Sequence, residues 1–201
     1  MKKEMDIVFL LDRSGSMGGI EDDTIGGYNS YINSQKVNNA KVTTVLFDDK
    51  YEMITNRCNI KDIKPLNNKT YYVRGCTALL DAIGKTINYM DKENAKKVIF
   101  IITTDGLENA SREYTRDKIK EMIEVHNTWE FMYIGADIDS YAEGSSIGIS
   151  KKNISSYKKD RKGVSKLFNS LGKVSCAFFE EDKINEDWKD ELEDYIKSES
   201  E

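Results

Sequence analysis

Residues 7–16 read Ile7-Val8-Phe9-Leu10-Leu11-Asp12-Arg13-Ser14-Gly15-Ser16, an unbroken apolar run followed by an aspartate and two serines at alternate positions. A short apolar run bounded by charge suits a strand buried on both faces, as in a parallel sheet covered by helices. Sheets of this kind bind ligands beyond the carboxyl ends of their strands, which is where Asp12, Ser14 and Ser16 fall. One carboxylate and two hydroxyls are hard oxygen donors of the kind Mg2+ selects, and they leave its octahedral shell incomplete.

Working outward, Val98 to Ile102 is a second all-apolar run, and it ends at Thr103-Thr104-Asp105-Gly106. Between the two runs, Gly18 and Gly19 precede Ile25, Tyr28, Tyr31 and Ile32, whose spacing predicts a helix. Val42 to Phe47 and Tyr51 to Thr55 flank Asp48-Asp49-Lys50 and read as a hairpin at an antiparallel sheet edge. The lone proline, Pro65, lies in a polar connector, where a missing donor is tolerated. Leu79, Leu80, Ile83, Ile87 and Met90 predict a helix that turns Asp81, Lys85 and Asp91 away from the core. Further on, the pattern predicts a helix from Thr115 to Val125 and a strand from Trp129 to Ile134. Helices over 137–147 and 164–171 follow, then a last strand from Val174 to Phe179. This alternation predicts a three-layer, Rossmann-like, doubly wound α/β fold. Its mostly parallel sheet has about six strands, one of them an antiparallel edge strand, with helices on both faces.

The chain's 201 residues suffice for one such domain, and we expect it to span residues 1–180. Residues 181–201 form an acidic C-terminal segment in which Ile184, Trp188, Leu192 and Tyr195 repeat at helical spacing, so a helix docked on the domain is expected. The formal charge of −5 belongs to this end: residues 180–201 carry 11 acidic and 3 basic side chains, which leaves the rest slightly basic. A nearly neutral body excludes a nucleic-acid footprint of the usual kind. The basic segment Lys151, Lys152, Lys158, Lys159, Arg161, Lys162 and Lys166 reads as a solvated surface. Cys58, Cys76 and Cys176 are widely spaced and show no zinc-ligand pattern, so reduced thiols are expected. The first apolar run is too short for a signal h-region and no stretch reaches membrane-spanning length, which makes a cytoplasmic protein with no membrane contact the expectation.

If the two apolar strands are neighbours across the topological switch point, Asp12 and Asp105 emerge into one crevice, and Thr77 enters it from the start of the Leu79 helix. Taken singly, each residue has a plainer use. Ser14, Ser16 and Thr77 can cap helices, and Asp105 can make an Asx-turn before Gly106. Together, Asp12-Arg13-Ser14-Gly15-Ser16, Gly75-Cys76-Thr77 and Thr104-Asp105-Gly106 resemble the three loops of a von Willebrand factor type A domain with a metal-ion-dependent adhesion site. The resemblance covers about residues 4–180, with no departure at the five donor positions. Thr77-Ala78-Leu79-Leu80-Asp81-Ala82-Ile83 is similar to the helix start in small stand-alone bacterial and phage members. The resemblance implies that Asp12, Ser14, Ser16, Thr77 and Asp105 hold Mg2+, with Mn2+ or Ca2+ as alternatives. The implied partner is a protein whose Glu or Asp carboxylate completes the metal's shell.

Several nearby groups have their own readings. Arg13 reads as an exposed loop residue rather than a screen for the site, and Cys76 as a small buried thiol. Asp48 and Asp49 read as turn residues at a sheet edge, and Asp137, Asp139 and Ser140 as helix-capping groups rather than a second ion site. His126, the lone histidine, falls at a helix C-terminus, where it complements the dipole. The leading expectation is a non-enzymatic, Mg2+-dependent protein-interaction module. The alternatives are a metal-dependent phosphohydrolase or phosphotransferase that uses Asp12 as nucleophile, and a scaffold that self-assembles through the acidic tail. Against the first stands Ser14, where such enzymes usually want a second carboxylate, together with the absence of a phosphate-cradling glycine loop.

Overall fold

The run that opens the sequence is β1, Met5–Asp12, and every residue in it is buried. Its alternating side chains divide between two cores. Ile7, Phe9 and Leu11 point to one face of the sheet, and Val8 and Leu10 to the other. The computed structural model describes residues 4–136 and 138–198. The remaining strands are β2 (Ala40–Phe47), β3 (Tyr51–Asn59), β4 (Val98–Thr104), β5 (Glu130–Ala136) and β6 (Ile154–Tyr157). They form one sheet in the order β3-β2-β1-β4-β5-β6, parallel throughout except for the β2/β3 pairing at one edge.

Helices α1 (Glu21–Gln35) and α5 (Arg161–Glu181) cover the first face, and α2 (Leu79–Lys92) and α3 (Arg116–Val125) the second. Helix α1 begins with Glu21, Asp22 and Asp23, whose charges favour a helix N-terminus. It approaches α5 so closely that a Cβ on Gly27 would lie 2.1 Å from the Phe168 ring, so only glycine fits there. On the same face Phe9 meets Tyr28 and Tyr31 edge to face, with centroids 5.5 and 4.8 Å away. A short α4 (Ser140–Ser146) packs beside β6, and α6 (Asp190–Ser198) closes the described chain. Trp188, Leu192 and Tyr195 are buried, and the Trp188 indole N–H donates to the Lys152 carbonyl at 3.0 Å.

Several sequence expectations are corrected. Val174–Phe179 is not a strand but the end of α5, because Val164, Leu167, Phe168, Leu171, Val174 and Phe178 keep one helical stripe running through Gly172. The sixth strand is instead Ile154–Tyr157, whose two serines hid it from a search for apolar runs. Asp81 does not face away from the core: it is buried and accepts from the backbone N–H groups of Arg112, Glu113 and Tyr114 at 2.9–3.0 Å. Cys76 is exposed rather than buried.

Arg13 is fully buried rather than an exposed loop residue. Its Nε donates to Asp48 Oδ2 at 2.9 Å, and its Nη1 lies 2.7 Å from Glu52 Oε2. Asp48 is equally buried, and the same Oδ2 accepts from Arg74 Nε at 2.7 Å, so Asp48 is an interior counter-ion as well as a turn residue, its Oδ1 accepting from the Lys50 N–H at 2.7 Å. This cluster joins the β2/β3 hairpin to the loops at the carboxyl end of β1.

Candidate functional site

Strands β1 and β4 are hydrogen-bonded neighbours, with Leu11 opposite Thr103, so Asp12 and Asp105 emerge side by side. The β2 branch lies on one side of this pair and the β5 branch on the other, which makes the crevice the topological switch point. The Asp12 loop is tied to the Thr77 loop by backbone bonds, from Gly15 N–H to the Gly75 carbonyl at 3.1 Å and from Arg74 N–H to the Arg13 carbonyl at 2.8 Å. Thr77 is held from the third loop, since its N–H donates to Asn109 Oδ1 and its carbonyl accepts from the Asn109 and Ala110 N–H groups.

All five expected donors come together. Ser14 Oγ and Ser16 Oγ are 3.0 Å apart, and Ser16 Oγ donates to Asp105 Oδ1 at 2.5 Å. A Cβ placed on Gly106 would lie 2.8 Å from Thr77 Oγ1, 3.1 Å from Ser16 Oγ and 3.6 Å from Ser14 Oγ. Three hydroxyls from two loops therefore surround one small cradle that the missing side chain of Gly106 leaves open. Asp12 sits behind it, fully buried: its Oδ1 accepts from the Ser14 N–H and its Oδ2 from Thr104 Oγ1, both at 2.6 Å. Burial pushes the Asp12 carboxyl up to about 6, against the Thr104 and Ser14 hydrogen bonds, and the charge of Asp105 adds to the rise. Ser14, Thr77 and Asp105 are buried and Ser16 is exposed, so the cradle opens to solvent on the Ser16 side.

Two carboxylates and three hydroxyls fit a small hard cation well. The negative charge is modest and the donors are all oxygen. Among the described residues no group of three or more His, Cys, Asp and Glu side chains gathers as a metal cluster, at this site or elsewhere. Of the other groups considered, Asp139 caps α4 by accepting from the Ala142 N–H, and Ser140 Oγ pairs with Ser156 Oγ, while Asp137 lies outside the described residues. His126 caps α3, with Nδ1 2.5 Å from the Met122 carbonyl and Nε2 2.7 Å from Asp91 Oδ1, remote from the site.

One residue at the site escaped sequence reasoning. Lys159, read as part of a solvated basic segment, brings its Nζ to 2.9 Å from Asp105 Oδ2 and also donates to the Ser16 carbonyl. Elsewhere in that segment the Nζ atoms of Lys158, Lys162 and Lys166 lie 4.5–5.7 Å from the centre of the Tyr195 ring, while Lys152 pairs with Glu130 and Arg161 with Asp23.

The structure is similar to several solved proteins. It superposes on the vWF domain of the type V pili tip protein from Porphyromonas gingivalis with a TM-score of 0.67 at 10% identity, covering 92% of this chain and 99% of that one. Against proximal thread matrix protein 1 from the mussel byssus the TM-score is 0.64 at 16% identity, with 87% and 47% covered. Against the manganese-loaded TRAP protein of Plasmodium vivax it is 0.58 at 17% identity, with 83% and 73% covered. The chain thus spans about half the length of the mussel protein. These likenesses establish the fold. No curated protein matches the sequence. A family model described as the von Willebrand factor type A domain matches residues 7–108, the half of the chain that contains all five donors. By this match, the chain belongs to the von Willebrand factor type A domain family.

Proposed function

We propose that this domain is a non-enzymatic protein-interaction module whose metal-ion-dependent adhesion site holds Mg2+ and, through it, an acidic residue of a partner protein. The observation that carries the reading is the cradle beside Gly106, where the Thr77, Ser16 and Ser14 hydroxyls approach one point with Asp12 and Asp105 around it. Ser14, Ser16 and Thr77 would hold the ion through their hydroxyls, and Asp12 and Asp105 directly or through water. When bound, the ion supplies a Lewis-acidic position that can accept a carboxylate. The chain's own part is to fix the donors. Thr104 and the Ser14 N–H hold Asp12 in one rotamer, and the Asn109 loop holds Thr77 by its backbone.

Two observations favour binding over the alternatives. The Asp12 carboxylate is fully buried with both oxygens engaged in hydrogen bonds, a poor posture for a nucleophile. The apolar stripe of the acidic tail is spent on the body through Trp188 and Leu192, which leaves little for self-assembly. Among the described residues no helix is long and apolar enough to cross a membrane, and all three cysteines are free, which fits a protein of a reducing compartment such as the cytoplasm. Calorimetry with Mg2+ tests the site. Wild type should bind and Thr77→Ala should bind at least tenfold more weakly, whereas equal affinity refutes the reading. Affinity capture in Mg2+ against EDTA tests recognition, and capture indifferent to EDTA would count against a metal-mediated contact.

A further inference from the structure

We propose that Lys159 is a resident counter-cation of this site, which a divalent ion must displace in order to bind; the inference rests on the metal reading above. Lys159 lies between β6 and α5, and its Nζ is 2.9 Å from Asp105 Oδ2 while donating to the Ser16 carbonyl. The Asp105 side chain is only 2% exposed and its Oδ1 is taken by Ser16 Oγ, so both oxygens are engaged and its charge is met by the ammonium. Both contacts of Lys159 are to residues of the donor set, one of them through the loop backbone. The segment thus carries a tethered positive charge in the entrance that the hydroxyl cradle leaves open.

A divalent ion held by Asp105 would meet this ammonium as a like charge at close range, and like charges that share one carboxylate repel strongly in a partly buried setting. Lysine suits a removable occupant, because its ammonium is strongly hydrated and rides on a flexible stem. Its backbone is less free. The next residue, Asp160, caps α5 by accepting from the Gly163 N–H at 2.7 Å, and its other oxygen accepts from Tyr195 Oη at 3.1 Å. Displacement is therefore a side-chain swing about a fixed backbone, and it leaves Lys159 at the rim beside exposed Ser16.

Two measurements on the full chain test this with Mn2+ as the probe. The first is calorimetric affinity for wild type, Lys159→Met and Lys162→Met, the last removing the same charge from the neighbouring surface. Lys159→Met should bind Mn2+ about tenfold more tightly, the scale of one hydrogen-bonded charge contact, with Lys162→Met close to wild type. The second is acetylation of Lys159 in wild type by an amine-reactive reagent, followed by peptide mass spectrometry. Labelling should rise severalfold when Mn2+ is added, as the ammonium is released. If Lys159→Met binds Mn2+ no more tightly than wild type, if both lysine variants tighten equally, or if Mn2+ leaves Lys159 labelling unchanged, the inference is overturned and the metal site stands. If neither wild type nor Lys159→Met binds Mn2+, both fall.

Discussion

Asp48→Ala is the sharpest test of how the loops around the site are held. Arg13 is fully buried, and its counter-ions are Asp48, at 2.9 Å, and Glu52, whose side chain is half exposed. Arg13 Nη1 and Nη2 have no hydrogen-bond partner of good geometry, so the Asp48 contact through Nε is its one well-formed bond. Removing Asp48 leaves the buried guanidinium with the half-exposed Glu52 as its one carboxylate and takes the acceptor from Arg74 Nε and the Lys50 N–H, a change that costs about 3 kcal/mol, the low end for breaking a buried pair. Domains of this kind are stable by about 5–15 kcal/mol, so the loss is a large fraction of the whole. At about 2–4 °C per kcal/mol for a chain of this size, Tm should fall by about 10 °C. The effect should also depend on pH. Burial alone would raise the Asp48 carboxyl, but the Arg74 hydrogen bond, the Lys50 N–H and the charge of Arg13 outweigh it and hold Asp48 below the ordinary carboxylate range. A carboxylate whose folded pKa is depressed contributes stability that is present above its unfolded value, about 4, and lost as pH falls through the folded value. Urea unfolding followed by tryptophan fluorescence should therefore show a wide gap between wild type and Asp48→Ala at pH 7, and a narrowing one toward pH 3. The double variant Arg13→Met/Asp48→Leu, which removes both charges, should recover much of the loss. A pH 7 gap under about 1 kcal/mol would refute this expectation, since breaking a buried ion pair costs several times that. So would a gap of constant size across the pH range.

Other expectations follow from single contacts. Gly106→Ala puts a methyl 2.8 Å from Thr77 Oγ1 in the middle of the cradle, so calorimetric Mg2+ affinity should fall at least tenfold. Metal-free stability should change by no more than about 1 kcal/mol, because the atoms met are hydroxyl ends. Asp81→Ala strips the acceptor from three backbone N–H groups of residues 112–114, and at about 1 kcal/mol per bond the cost should reach about 2–3 kcal/mol. Hydrogen exchange should then rise at residues 108–114, the segment that holds Thr77; unchanged exchange there would remove Asp81 from its supports. Trp188→Ala deletes a buried indole with its bond to the Lys152 carbonyl, for about 3–5 kcal/mol. Limited proteolysis should then cut first after residue 181, and a cut elsewhere would mean that the tail is held by other contacts.

What the sequence made legible, and what it concealed, divides along a physical line. Strand β1 was readable because both of its faces are covered, so every position in Ile7 to Leu11 had to be apolar whatever its neighbours were. Strand β6 was not, because Ser155 and Ser156 lie in a short edge strand whose existence depends on pairing with β5, a fact held in the partner and not in the segment. The end of α5 failed differently. Val174 to Phe179 is rich in residues that favour strands, and local preference yielded to the helical stripe that continues from Val164 and packs on α1.

The site divides in the same way. Asp12, Ser14, Ser16, Thr77 and Asp105 stood out because hydroxyls and carboxylates just past buried strands have few structural uses in common, and three such loops have fewer. The charges that brace or occupy the site did not stand out. Arg13 and Asp48 are 35 residues apart, and Lys159 and Ser16 143 apart. A charged side chain in a polar loop looks like surface until its counter-ion is known, because burial of a charge is permitted only by its partner. Each of these pairs joins segments that the fold alone brings together. Under the proposed function the five donors suit a small hard divalent cation, but how tightly one would be held depends on charges that no local motif contains: Lys159 against Asp105, and Arg13 with Asp48 behind the loop. Two chains with identical donor loops can therefore differ widely in metal affinity, and in this one the measurement that separates donor chemistry from its electrostatic setting is the comparison of Thr77→Ala with Lys159→Met, which should move affinity in opposite directions.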